Sequence, residues 1–265
     1  MNLIDPTVIE ITQEPGIMGV ISQIDYCAGV CYGREYAHVT VEKQKEFVQS
    51  LIEKGHMRPL EFGTVYLRLD SRNQLPISIF KRPWCDINRV IENGKIVYYV
   101  TTNYRYIVEE QLEFMLEYWC EPTEKHIKRR TFKLVCSRAV ADEYRTHISL
   151  SSLMKSTRYC RCDLLEVVKP VWYDNAAESL KETYRSALKN AETSYRLMMS
   201  HQAQPQQARG ILPMDMATTL LLCGTIGISN WGWNRFFKMR VSNAAAPEAK
   251  VLAEKIKKWC NNVNK

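Results

Sequence analysis

No apolar run in this chain approaches the roughly 18 to 20 residues that a membrane-spanning helix requires, so the sequence does not read as a membrane protein. Neither Gly-x-Gly-x-x-Gly nor Gly-x-x-x-x-Gly-Lys-[Ser/Thr] occurs, which excludes the two common Gly-rich phosphate loops. The five histidines are scattered and no Cys-x-x-Cys pair accompanies them, so no metal site is evident. Basic residues form no single cluster or tail, which argues against nucleic acid as the partner. There is no internal repeat and no low-complexity linker. Strand and helix patterns do not alternate as they would in a doubly wound parallel sheet. The opening residues carry acids and prolines rather than a basic, apolar leader.

The 265 residues suffice for one large domain or two small ones with a sizeable core. Apolar residues are 46% and charged residues 25%, the balance of an ordinary globular protein. The net charge of +7 suits a surface that meets phosphorylated small molecules. Nine cysteines are an odd number, and several sit in apolar runs such as Leu134-Val135-Cys136. That favours reduced, mostly buried thiols in a cytoplasmic protein over a disulfide framework.

Along the chain, residues 6–24 alternate around Pro15 and Gly16 and read as a strand, a turn and a second strand. Thr40 caps an amphipathic helix over 40–54 that stops at Gly55. Period-two alternation predicts strands over 63–70, 95–100 and 130–136. Helices are expected over 104–119, 175–202 and 215–223, and a last one opens at Pro247 and runs to Cys260. Strands dominate the first half and helices the second, an α+β pattern.

The segment from Ser137 to Tyr159 carries the most chemistry. It holds Arg138, Glu143, Arg145, His147, Ser156, Arg158 and Tyr159 with few apolar residues between them, yet apolar runs tie both its ends to a core. An anion site on a rigid frame has this look: arginine forks onto phosphate, Ser156 donates a hydroxyl, and a turn between Ser149 and Ser152 offers free N–H groups. A solvated helix end is the plain alternative. Trp231, Trp233, Phe236 and Phe237 suit the stacking of a ring, a core, or a subunit interface.

Read in order, these clusters resemble the flavin-dependent thymidylate synthases. Ala28-Gly29-Val30-Cys31-Tyr32, Gly55 through Phe62, Thr102-Asn103-Tyr104-Arg105, Arg138 through Tyr159, Ala208 through Pro213, and Phe236 through Arg240 followed by Ala246-Pro247-Glu248 match the family's motifs in sequence order. The family's signature, Arg-His-Arg-x-x-Ser-x-Asn-Glu-x-Ser-x-Arg-Tyr, keeps His147, Ser151, Ser156, Arg158 and Tyr159 here. Its two arginines fall on Thr146 and Ile148, its Asn and Glu on Leu153 and Met154, and Arg145 stands one place early.

The resemblance implies one domain over residues 1–265, with an antiparallel-rich sheet flanked by long helices, assembled as a homotetramer with shared flavin sites. It implies reductive methylation of dUMP, with carbon from methylenetetrahydrofolate and hydride from NADPH through FAD. Arg240 then matches the residue acting on the uracil ring; Glu143, Ser156, Arg158 and Arg209 match nucleotide contacts; and His56, Arg58, Glu61, His147 and Arg235 match flavin contacts. The altered signature implies a weaker hold on FAD. It also keeps two other readings open: a C5 methyl- or hydroxymethyltransferase for another pyrimidine nucleotide, and a non-catalytic nucleotide-binding homologue.

Overall fold

The structure is a computed structural model, and it describes residues 1–70, 78, 80 and 84–262. Its centre is a four-stranded antiparallel sheet in the order β2 (Thr7–Ile11), β6 (Arg129–Ser137), β9 (Ala217–Thr225), β7 (Ser151–Met154). A second antiparallel sheet has the order β3 (Thr64–Asp70), β5 (Lys95–Asn103), β4 (Asp86–Glu92). A short parallel pair joins β1 (Asn2–Ile4) to β8 (Glu166–Val168). The helices are α1 (Gly16–Cys31), α2 (Val41–Glu53), α3 (Tyr104–Glu109), α4 (Arg138–Arg145), α5 (Glu178–Ser200), α6 (Pro205–Ala208), α7 (Gly232–Arg240) and α8 (Pro247–Asn262). The α+β expectation holds: the sheets are mostly antiparallel and long helices flank them.

Two apolar clusters hold these layers. One packs Val20, Ile24 and Leu60 from the α1 side against Val65, Leu67 and Val100 of the smaller sheet. The other packs Phe132, Leu134, Leu220 and Leu222 of the central sheet against α7 and α8. Each such side chain, fully buried, contributes about 1.5–3 kcal/mol. Trp233 and Phe236 are 0% exposed and Phe237 is 8% exposed. These aromatics therefore fill the core of a single protomer, and they leave no apolar face that calls for a second subunit. Gly232 opens α7 at φ +53°, and a Cβ there would lie 2.1 Å from the Thr225 carbonyl oxygen, so only glycine permits this contact.

Three expected elements are corrected. Residues 16–31 form a helix where a second strand was expected. Ile17, Val20, Ile21 and Ile24 favour strand locally, but Val20, Ile24, Cys27 and Ala28 bury one helical face, and packing outweighs propensity. Residues 217–225 form the strand β9 where a helix was expected. Lying between β6 and β7, this strand is buried on both faces, so its apolar run shows no period of two. The expected helix over 104–119 breaks after α3 at Gln111, whose φ is +56°, and resumes as a 3-10 turn over Glu113–Tyr118.

Candidate functional site

Helix α4 and strand β7 build the site. Ser137 caps α4 by accepting from the Val140 N–H at 3.2 Å, so the helix starts where β6 ends. Arg138 and Arg145 lie seven residues apart at its two ends, close to two full turns, and so project from the same face. The chain then turns tightly: the His147 N–H donates to the Tyr144 carbonyl and the Leu150 N–H to the His147 carbonyl, both at 3.2 Å. Ser149 Oγ ties this turn to the Gly232 carbonyl at 3.3 Å. The expected turn between Ser149 and Ser152 is thus displaced, because Ser151 already pairs with Cys223 in β7.

One face of this frame opens into a basic cavity of about 420 Å³. Arg58, Arg138, Arg145, Lys155 and Arg209 line it together with Ser156, and no carboxylate does. Arg58 is fixed to β7, its Nε 3.2 Å from the Ser152 carbonyl and its Nη2 3.3 Å from Ser152 Oγ. Arg145 pairs with Asp142 at 2.9 Å on the exposed side of α4. Arg138 Nη1 is buried with no hydrogen-bond partner. Burial pushes the Arg138 guanidinium below its usual range; Asp142 opposes this, while Arg145 and Arg209 add to it. A cation at a helix N-terminus, with an orphaned donor and four cationic neighbours, is arranged for an anion.

A second cavity, of about 380 Å³, lies beside the first and shares Arg58 and Arg145 with it. Glu61, Arg105, His147, Ile148 and Trp231 are among its walls. Glu61 is 4% exposed and takes its charge partner from Arg105 Nη1 at 2.7 Å. Arg105 in turn lies over the Trp84 ring, 5.1 Å from its centroid. Arg129 donates to the Glu61 carbonyl at 2.7 Å and to Cys223 Sγ at 3.3 Å, while its Nε is buried without a partner.

Behind this cavity Arg240 binds His147 and Glu143. Its Nε lies 2.8 Å from His147 Nε2, its Nη1 2.6 Å from Glu143 Oε2, and its Nη2 2.8 Å from the Glu143 carbonyl oxygen. A guanidinium N–H can only donate, so Nε2 accepts and the neutral ring carries its proton on Nδ1. Burial, then Arg240 and Arg235, push the His147 pKa down to about 4. Because the unfolded chain takes up this proton first, His147 contributes stability fully above pH 6.5 and loses it as pH falls toward 4. Urea titrations of His147→Gln beside the parent should show a smaller loss of stability between pH 6.5 and 4 in the variant. Parallel losses in the two proteins would mean that the imidazole does not titrate as its surroundings dictate.

The expected site residues fall into three groups. Ser156 and Arg209 line the basic cavity, Glu61 and His147 the second one, and Arg58 both. Glu143 and Arg240 stand behind His147, with Arg235 near enough to bias its protonation; none of the three lines either cavity. His56 is exposed, and its N–H closes the end of α2 on the Leu51 carbonyl at 2.8 Å, which is the work of a turn residue. Arg158 is exposed too, its guanidinium 5.4 Å from the centroid of the Tyr159 ring. Lys155 and Arg129 were not singled out in the sequence, and Arg138 and Arg105 were named only within the polar segment and a family motif, with no role assigned. The seven-residue spacing of Arg138 and Arg145 was a signal in the sequence; the position of Arg129 on β6 opposite Glu61 was not. Arg145 brings a cation into both cavities, whereas Ile148, 79% exposed, leaves an apolar side chain at the signature's second arginine position.

Among the described residues no helix is long and apolar enough to cross a membrane, and no three His, Cys, Asp or Glu side chains gather as a metal site requires. All nine cysteines are free thiols. A family model described as thymidylate synthase complementing protein matches residues 99–263, more than half of the chain. The matched stretch contains every cation of the basic cavity except Arg58. A comparison with curated proteins finds no match.

Proposed function

The chain belongs to the thymidylate synthase complementing protein family, and from that premise we propose that it is a flavin-dependent thymidylate synthase converting dUMP to dTMP with methylenetetrahydrofolate and NADPH. The observation that carries this reading is the pairing of two cavities through Arg58 and Arg145, one of them with cations as its only charged walls and holding the orphaned Arg138 donor. In this reading the nucleotide phosphate lies in the basic cavity, bound by Arg209 and hydrogen-bonded by Ser156. Ser156 Oγ accepts from the Arg158 N–H at 3.2 Å and keeps its own hydrogen to donate.

The second cavity suits a flavin. It joins flat apolar walls, Trp84 and Trp231, to a buried guanidinium N–H without a partner, that of Arg129. Arg58, Arg129, His147 and Trp231 are the residues that would hold FAD, which when bound supplies the hydride chemistry. The protein's own part is electrostatic. His147, held neutral, keeps a proton on Nδ1 that it can donate, and Arg240 fixes that tautomer. Arg240 lines neither cavity, so in this reading its cation acts on the charge that grows on the uracil ring through His147, whose ring it orients.

Two assays test this reading. Purified or FAD-reconstituted protein should display oxidised-flavin absorption bands, and it should form dTMP from dUMP when both co-substrates are supplied. A colourless protein that cannot be reconstituted would instead support a non-catalytic nucleotide-binding homologue. One observation favours a second substrate reading: Met154 lines the basic cavity where the family signature has glutamate. Turnover of another pyrimidine nucleotide, with dUMP inert, would establish a C5 methyl- or hydroxymethyltransferase.

The altered signature bears on FAD affinity. The double change Thr146→Arg with Ile148→Arg should tighten FAD by about 1.5 kcal/mol, the worth of one charge-assisted contact. The gain is held to one contact because Arg145 already supplies a cation. A fluorescence titration with no gain, in a folded variant, would mean that Arg105 or Arg129 has taken over those contacts.

The reading includes a homotetramer. Of the 23 residues of α5, only Leu188, Glu192 and Tyr195 are buried, and Leu180 and Leu197 are 52% and 58% exposed. The rings of Tyr32 and Tyr159 pack at a tilt, 5.7 Å between centroids, and stay largely exposed beside the basic cavity. Another subunit would cover both. Light scattering at micromolar concentration should give four times the chain mass, and a monomer would refute the assembly.

A further inference from the structure

We propose that a third cavity, where the two larger sheets meet α1, binds an uncharged aminopyrimidinone ring, the hydrogen-bonding edge shared by guanine and pterins. The inference does not rest on the reading above. This cavity shares only Arg129 with the second cavity and nothing with the basic one. It holds about 220 Å³, and Gln23 of α1, Thr64 and Tyr66 of β3, and Thr131 of β6 are among its walls. The loop before α1 closes one side and is held in place. Gln13 donates to the Thr64 carbonyl at 2.8 Å and accepts from the Thr64 N–H at 2.7 Å, so both ends of its amide are engaged. Gly19 admits the Glu14 carbonyl oxygen, which would lie 1.7 Å from a Cβ there.

Gln23 differs from Gln13. It is 5% exposed, yet its side-chain amide makes no hydrogen bond among the described residues. Thr64 and Thr131, 5% and 4% exposed, leave their hydroxyls unbonded in the same way. Tyr66 accepts from the Arg129 backbone N–H at 3.4 Å and keeps its own hydroxyl hydrogen. None of these polar atoms is sealed inside the protein without a partner, so side chains this deeply buried turn them to the cavity. Buried polar groups are normally paired, and four unpaired ones around one space call for an occupant.

The charged walls narrow the choice. Arg130 is engaged with Glu10, its Nε 2.6 Å from Oε1. Arg129 directs its Nη2 to the Glu61 carbonyl and to Cys223 Sγ, both walls of the second cavity. Glu14 and Glu121 line the cavity from exposed positions and have no ion-pair partner among the described residues. An anion would meet these two carboxylates uncompensated, and a bare cation would meet two guanidiniums. A wholly apolar molecule would leave the four buried groups unpaired. A flat, neutral ring with an amide edge and an amino group satisfies every wall. Gln23 donates to the ring carbonyl and accepts from the adjacent ring N–H, the hydroxyls serve the other ring nitrogens, and the amino group donates to a carboxylate at the rim. Trp119 and Tyr66 supply apolar ring surface.

The test is calorimetric titration of the full chain with guanosine, with pterin, and with inosine, which keeps the amide edge of guanosine and lacks its amino group. Guanosine, pterin or both should bind; binding by one alone identifies the source of the ring. If guanosine binds, inosine should be about tenfold weaker, the worth of one hydrogen bond to a charged group. Gln23→Leu, and separately Thr131→Val, should each weaken the bound ring, Gln23→Leu by about tenfold because two hydrogen bonds are lost. The melting temperature should not fall in Gln23→Leu, since its amide holds nothing in the unliganded protein and an apolar side chain of similar size suits a buried site. Failure of both guanosine and pterin to bind at millimolar concentration overturns the inference and leaves the cavity to water. Binding that survives both substitutions in folded variants also overturns it, by placing the ring elsewhere. Equal affinity for guanosine and inosine overturns the role of the carboxylates and with it the ring assignment. Each of these outcomes leaves the thymidylate synthase reading untouched.

Discussion

Arg240→Lys is expected to slow a single turnover by a factor on the order of 100 or more, while nucleotide affinity falls far less. The arginine spends its planar fork on three acceptors at once: His147 Nε2, the Glu143 carboxylate and the Glu143 carbonyl. A lysine ammonium keeps the charge but is a point donor on a flexible stem, and it cannot span all three. His147 then loses the bond that sets its tautomer, and its proton is free to move from Nδ1 to Nε2. The Nδ1 donor would be lost along with the cation that orients the ring. In the proposed reaction charge grows on the uracil ring, so a preorganised cation and donor matter more in the transition state than in the ground state.

Rapid-quench measurement of dTMP formation, run beside a dUMP titration, separates the outcomes. A lysine variant that loses affinity and keeps its rate at saturation would make Arg240 a binding residue. If neither changes, its three bonds serve only to fasten α7 to α4. Because Arg240 lines neither cavity, the rate loss should be accompanied by a changed pH profile of turnover, which a purely structural role would not produce.

Period and capping made much of the architecture legible. The helix capped by Thr40 and the helix opened by Pro247 have one buried face, so their patterns carry a clear period, while the strands at 64–70 and 95–103 were legible from their residue types although both are largely buried. The failures came where burial erases the period. Strand β9 is covered on both faces, and Leu220, Leu221 and Leu222 in a row do not distinguish strand from helix. Helix α1 failed for the opposite reason, since its β-branched residues mimic alternation until the packing of Val20 and Ile24 against the smaller sheet is known.

The site was legible as a list of residue types but not as a division of labour. The stretch from Arg138 to Arg158 stood out by its polarity, and most of it does surround the two cavities. Which residues share a wall depends on partners distant in sequence. Arg58 reaches β7 across 94 residues and Arg240 reaches His147 across 93. The aromatics near 231–237 invited a functional or interface reading, yet three of the four are core. A single aromatic, Trp231, reaches the second cavity from that group.

Arg209→Ala is expected to weaken dUMP by about 1.5–3 kcal/mol, the usual worth of a hydrogen bond to a charged group, which is about 10- to 150-fold in affinity. Arg209 is presented by a stiff local frame. Pro205 begins α6, Gln204 and Gln207 form a reciprocal cap, and the chain passes at Arg209 into a 3-10 turn. The guanidinium lines the basic cavity and has no ion-pair partner among the described residues, so removing it breaks nothing in the free protein and subtracts directly from ligand binding. FAD affinity should change much less, because Arg209 does not line the second cavity. Arg158→Ala should cost less than Arg209→Ala, since Arg158 is exposed and rests on Tyr159 outside the cavity. Calorimetric titration of both variants with dUMP and with FAD checks the ranking. Equal loss of both ligands on Arg209→Ala would assign that residue to the fold. A larger loss on Arg158→Ala would mean that the phosphate is held from the exposed side, across a subunit boundary, by the arginine that one protomer leaves outside the cavity.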